Sequence, residues 1–243
     1  MRLARFLARA GAASRRGAAD LVAAGRVRVN GRPPSGPGDP VDPGHDRVTL
    51  DGKGLALAPR VWLAFHKPPG VVTSRQPTTR HPSVFTLVEP VPGLVAVGRL
   101  DVMSEGLLLF TTDGDLAARL MHPRWEVPRV YRVGVTGRLG PAERARLDAG
   151  IPLEEGEPAR PLRWAFTPDK SGGTLELTLA EGRNRVVRKL CATLGLGVRR
   201  LVRTAYGPVR LGALARGGGR PLAPREREAL YRAVRLSPPP ASP

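Results

Sequence analysis

The chain has 243 residues, 41% apolar and 25% charged, which suits one large domain or two smaller ones and excludes wholesale disorder. Its 39 Lys and Arg outweigh 21 Asp and Glu by +18, which calls for a polyanionic partner, nucleic acid before an anionic membrane surface. A single cysteine excludes an intrachain disulfide and a multi-cysteine zinc site and fits a reducing cytosol, and no apolar run reaches the roughly 18 residues of a membrane span.

The first residues, MRLARFLARAGAASRR, interleave Arg with apolar residues and lack the continuous apolar stretch of a signal peptide. An Arg bias follows from GC-rich coding alone, so the placement of charge matters more than the choice of Arg over Lys. Residues 1–32 carry a net +7 and residues 181–235 a net +11, while the remainder is nearly neutral. Two basic surfaces, one at each end, fit an RNA or DNA footprint better than random solvation.

Leu3, Phe6, Leu7 and Ala10 have helical spacing, and Gly11 ends that helix. Ser14 reads as the N-cap of a second helix through about Ala24, with Leu21 and Val22 facing inward. Arg26 to Val29 alternates with period two, and Asn30-Gly31 is a turn signal. A proline-rich loop spans Pro33 to Pro43, and Arg47 to Leu50 reads as a closing strand. A module over residues 1–55 is expected, with a linker near 54–60. Strands are expected at 61–66, 94–98, 106–112, 130–136, 174–180 and 198–204, and helices at 114–121, 141–148, 184–195 and 224–235. Their irregular order argues for an α+β sheet domain over 60–235 rather than a doubly wound fold. The Pro- and Ser-rich tail, 236–243, is expected to be disordered.

No GxxxxGK[ST], HExxH or CxxC motif occurs, and His45, His66, His81 and His122 are scattered. Neither a metal site nor a nucleotide cofactor is expected. In the N-terminal module, Arg15 and Arg16 open the second helix, where free N–H groups favour phosphate, and Arg26, Arg28 and Arg32 flank the strand and turn. A solvated basic face competes with this reading. A DNA-binding helix-turn-helix fits less well, because it needs no strand and Asn-Gly turn after its second helix.

Further on, an apolar strand ends at Gly98, exposes Arg99 and Asp101, and re-enters the core through GLLLF. A carboxylate on such a loop is well placed to act on a ligand; a capping Asp or an Arg99–Asp101 surface pair is the plainer alternative. In EGRNRVVRKL, Val187, Leu190, Cys191 and Leu194 form an apolar stripe that makes Cys191 a core residue. Arg185 falls nearly opposite that stripe and Arg188 at its edge, where an Arg pairs with a carboxylate from elsewhere or serves a solvated face.

The run RLARFLARAGAASRRGAADLVAAGRVRVNGR resembles the RNA-binding module shared by a small-subunit ribosomal protein and tyrosyl-tRNA synthetase. With HKPPG at 66–70, GRLDVMSEGLLLFTTDG from Gly98, Arg129-Val130-Tyr131 and EGRNRVVRKL, the chain resembles bacterial rRNA pseudouridine synthases of the RsuA/RluB/RluE/RluF type. The resemblance implies the RNA-binding module joined to a catalytic α+β domain built on a mainly antiparallel mixed sheet flanked by helices. It implies cofactor-free conversion of uridine to pseudouridine, with Asp101 as the essential aspartate, Tyr131 against the base and Arg188 paired with Asp101. Asp101 either attacks C1′ or takes a proton from C2′, and the uridine is flipped out of its stack.

RNA contacts are expected from Arg15, Arg16, Arg26, Arg28, Asn30, Arg32, Lys67, Arg99, Arg183 and Arg185. Ser104 stands where the family usually has Thr, and Val186 where it commonly has Gln. HPRWEVPRVYRV is more like the large-subunit members, favouring 23S over 16S rRNA. A cytoplasmic monomer acting on rRNA or a ribosomal subunit precursor is expected, with no membrane association. The alternative is a non-catalytic RNA-binding ribosome-assembly factor.

Overall fold

The computed structural model describes residues 1–57, 60–154 and 156–239, the side chain of Arg15 excepted. Helix α1 (Leu3–Arg9) and helix α2 (Arg15–Ala23) lead to strands β1 (Val27–Val29), β2 (Val48–Leu50) and β3 (Lys53–Gly54). The Ser14 hydroxyl caps α2 by accepting from the Gly17 amide at 3.0 Å. The turn Asn30-Gly31 has positive φ at both residues, the geometry that returns a chain tightly on itself, and Val29 and Arg32 exchange backbone bonds across it. Leu3, Phe6, Leu7, Ala18, Val27, Val41 and Val48 close a small core of their own. Leu55 and Leu57 also pack on this core, so the stretch expected as a linker begins as part of the N-terminal packing; Ala58 and Pro59 lie outside the described residues.

The rest is built on one nine-stranded sheet. In chain order it uses β4 (Trp62–Lys67), β5 (Val95–Val97), β6 (Glu105–Thr111), helix α3 (Gly114–Met121), β7 (Arg129–Thr136), helix α4 (Pro141–Ala149), β8 (Arg163–Asp169), β9 (Gly172–Leu179), helix α5 (Val186–Thr193), β10 (Gly197–Tyr206), β11 (Val209–Arg210), β12 (Gly219–Pro221) and helix α6 (Pro224–Ala233). The strand order is β12-β4-β6-β10-β7-β9-β8, with β5 on β6 and β11 on β10. Among the described strands of this sheet, only the central β6–β10 pair is parallel.

Strand β6 is buried on both faces, as its unbroken apolar run requires. Leu107 and Leu109 face a core shared with α3 and α6, whereas Leu108 and Phe110 pack with Phe65, Val84, Leu94 and Leu100. Further along the sheet, Val133 and Val135 of β7 and Leu175 and Leu177 of β9 pack against Val187, Leu190 and Cys191 of α5.

Three expectations change. Helix α5 starts at Val186 rather than residue 184, because Arg185 takes a left-handed conformation with φ of 53°. Strand β8 was not expected from the sequence; it lies at the sheet edge, mostly exposed, and contains Pro168, which an edge strand tolerates. In the tail, Leu236 packs against the α3–α6 core and its amide bonds to Tyr231, so the order extends past residue 235; residues 240–243 lie outside the described ones.

Candidate active site

A groove of about 1940 Å³ runs along the middle of the sheet. Its lining includes Arg99, Asp101 and Ser104 from the β5–β6 loop, Tyr131 from β7 and Arg188 from α5. The loop reaches its place because β5 and β10 share successive parts of one edge of β6. Gly106 permits this close approach: at φ of +111°, a Cβ there would stand 2.3 Å from the Arg203 carbonyl oxygen.

Asp101 and Arg188, distant in sequence, meet in this groove, with Nε to Oδ2 at 3.8 Å. That is an ion pair rather than a hydrogen bond. Asp101 keeps 38% and Arg188 22% of its side chain exposed, so a ligand can reach the carboxylate. Tyr131 is nearly buried and lines the same groove. A carboxylate, a guanidinium at its side and an aromatic ring in one accessible groove suit a polar ligand with a planar ring.

The sequence model of RNA pseudouridylate synthases matches residues 61–193, and that of the S4 domain matches residues 1–48. The chain belongs to the RNA pseudouridine synthase family. It is 43% identical to an uncharacterized RNA pseudouridine synthase of Mycobacterium tuberculosis, over 97% of this chain and 95% of the relative. It is 42% identical to ribosomal large subunit pseudouridine synthase B of Escherichia coli, over 89% of this chain and 77% of that protein. A crystal structure of a pseudouridylate synthase superposes with a TM-score of 0.66 at 28% identity, covering 95% of this chain and 99% of the other.

The loop that carries Asp101 is supported from below. Lys67 was expected to touch RNA, but it is fully buried. Its ammonium donates to the carbonyl oxygens of Pro68, Asp101, Val102 and Ser104 at 2.8 to 3.2 Å. An ammonium so enclosed is unavailable to phosphate and instead ties the loop from below. Burial pushes its pKa down to about 8, while the Asp101 carboxylate pulls it upward. Ser104 is buried, with its amide on the Asp101 carbonyl at 3.0 Å. Val186 is buried in the α5 core, so an apolar residue suits that position.

The expected RNA contacts fall into two groups. Arg16, Arg28 and Arg32 are exposed on the N-terminal module, and Arg99 and Arg185 are exposed at the groove. Others are engaged within the protein. Arg26 pairs with Asp51, its Nε 3.0 Å from Oδ1. Arg183 pairs with Glu181. The Asn30 amide donates to Asp46 at 2.8 Å and accepts from the Arg47 amide at 2.9 Å, so it serves the hairpin. Arg185 is the left-handed residue before α5 rather than a helical position opposite its apolar stripe.

Sequence reading missed two buried cations on the groove floor, Arg129 and Arg203. Arg129 donates to the Tyr206 hydroxyl at 3.0 Å and to the carbonyls of Leu120 and Ala180 at 3.3 Å. Arg203 donates to the carbonyls of Leu107 at 2.8 Å and Arg99 at 3.4 Å. Their partners are neutral groups from distant segments, which leave no local pattern of opposite charge.

Proposed function

We propose that this pseudouridine synthase converts a specific uridine of large-subunit ribosomal RNA, with Asp101 as the essential carboxylate. The observation that carries the reading is the Asp101–Arg188 pair beside Tyr131 in one accessible groove. The relative named as a large-subunit synthase supports the choice of 23S rRNA. Asp101 begins the reaction at the sugar, as a nucleophile at C1′ or as a base at C2′; Arg188 holds its charge and position. Tyr131 stacks on the flipped base. The substrate and product are isomers, so the reaction consumes no oxidant, reductant or cosubstrate, and no cofactor is proposed.

Residues 1–55 act as the RNA-gripping unit and 60–235 as the catalytic unit. Arg15, Arg16, Arg28 and Arg32 on the first, and Arg99, Arg183 and Arg185 on the second, contact phosphates, with Arg183 exchanging its Glu181 partner for RNA. Among the described residues no helix is long and apolar enough to cross a membrane. A cytoplasmic monomer acting on rRNA or a subunit precursor fits this division of labour.

Purified chain incubated with 23S and 16S transcripts, and with 50S and 30S particles, tests the reading. Pseudouridine is expected in 23S rRNA alone, and none with Asp101→Asn. Pseudouridine formed equally by Asp101→Asn removes the aspartate from its role; formation in 16S alone reverses the substrate.

A further inference from the structure

Arg203 is a buried cation on the groove floor that the reaction outlined above does not use. It stands on β10 directly across from Tyr131 on β7, so the two side chains share one face of the sheet. It is 2% exposed and lines the same groove as Asp101 and Tyr131. Nε and Nη1 are held by the Leu107 and Arg99 carbonyls, at the two sides of the catalytic loop. The guanidinium also lies over the Tyr206 ring, 5.1 Å from its centroid. Nη2 is buried and has no hydrogen-bond partner among the described residues. No carboxylate forms an ion pair with Arg203 among them either. A buried charge without an anion and a buried donor without an acceptor each carry a desolvation penalty that a bound group relieves.

We propose that Arg203 Nη2 donates to a carbonyl oxygen of the target uracil and stabilises the base as an anion when the glycosidic bond breaks. This rests on the isomerisation proposed above. When N1–C1′ breaks, its electron pair leaves with the ring. In one route an Asp101 oxygen bonds to C1′; in the other Asp101 takes the C2′ proton and a C1′–C2′ double bond forms. Both leave the base with one negative charge, spread over N1, O2 and O4. C5 then bonds to C1′, releasing the Asp101 carboxylate in the first route and returning the proton to C2′ in the second. C5 loses its proton and N1 gains one, so atoms and charge balance. A fixed, dry cation opposes this charge more strongly than it holds neutral uridine, which lowers the barrier.

Single-turnover reactions of the full chain on RNA carrying uridine or 5-fluorouridine at the target position test the proposal. Fluorine stabilises the departing ring by itself and lessens the need for Arg203. Arg203→Lys is expected to slow loss of uridine about 100-fold, the scale of removing one preorganised donor, and loss of 5-fluorouridine about tenfold or less, with RNA affinity unchanged. Equal slowing of both substrates, or none, overturns the proposal and leaves Arg203 as loop support.

A second measurement needs no variant. 5-Nitrouracil, ionised at neutral pH, is expected to inhibit the wild-type chain at about one-tenth of the uracil concentration, and equal inhibition contradicts the proposal. A wild-type chain that converts no uridine in any RNA overturns the functional reading itself, an outcome distinct from both.

Discussion

Asp101 is half exposed, paired with one guanidinium and carried on a loop tied down by a buried ammonium. Asp101→Asn keeps the shape and removes the charge. It is expected to abolish pseudouridine formation while leaving the melting temperature within a few degrees, read by mass analysis of digested RNA and by thermal unfolding.

Lys67 makes a separate prediction, about stability. Its folded pKa of about 8 lies below the ordinary lysine value of 10.5, so between these values the unfolded chain binds more protons. Stability contributed by Lys67 therefore rises as pH increases from 8 to 10.5 and is at its lowest below pH 8. The unfolding free energy of wild type relative to Lys67→Met should increase by about 3 kcal/mol across that window. A flat difference would show that the ammonium keeps its ordinary affinity for protons. Cys191, by contrast, is pushed up to about 12 by burial and should resist alkylation until the chain unfolds.

Asp101 and Arg188 stood out as charges set into apolar runs, but their pattern alone left a surface pair and a solvated face open, and it was the family resemblance that put them together. Lys67 was misread and Arg203 overlooked for one reason. Their partners are backbone carbonyls, up to 104 positions away for Arg203, and a carbonyl has no signature in sequence.

At the scale of elements, the site depends on how closely β6 and β10 approach. Gly106→Ala combines a strained φ at position 106 itself with a clash against the Arg203 backbone of β10. It is expected to destabilise the chain by about 1–3 kcal/mol and to lower turnover beyond what the unfolded fraction explains, because the loop carrying Asp101 leads directly into β6. Denaturant melts alongside single-turnover rates check this; unchanged turnover would mean that the loop tolerates a shifted strand.

The long, buried or capped elements were readable. Helix α3 follows from Asp113, whose carboxylate accepts from the Asp115 and Leu116 amides at 3.1 Å, and from an amphipathic run behind it. Strand β8 was not expected, since this edge strand has one partner, alternates only over its first residues, where Trp164 and Phe166 half-bury, and then carries Pro168. The start of α5 was misplaced because a non-glycine residue, Arg185, takes the left-handed conformation.

Across the whole molecule, the N-terminal core packs onto the catalytic sheet region rather than hanging from it. Arg5 pairs with Asp115 of α3 at 2.7 Å, and Gly93 comes so close to α1 that a Cβ would stand 2.7 Å from the Arg9 carbonyl oxygen. The module therefore presents its exposed Arg16, Arg28 and Arg32 at a fixed place relative to the groove. Replacing Arg16, Arg28 and Arg32 together with Gln should weaken RNA binding for every sequence and reduce the salt slope by about one per lost phosphate contact, with little effect on chemistry once RNA is bound. Binding titrations at several salt concentrations and saturating single-turnover rates separate the two effects. The basic ends of the chain pointed to two basic surfaces, but the packing between the halves uses contacts, such as the Arg5–Asp115 pair and the approach of Gly93 to α1, that carry no sequence pattern.

The central claim, that Asp101 converts a uridine of large-subunit rRNA, is tested most directly by mapping pseudouridines across all rRNA from cells lacking this chain and from cells rescued with wild type or Asp101→Asn. One position in 23S rRNA should lose its pseudouridine in the deletion, regain it with wild type and stay uridine with Asp101→Asn. An unchanged map in all three strains would contradict the claim.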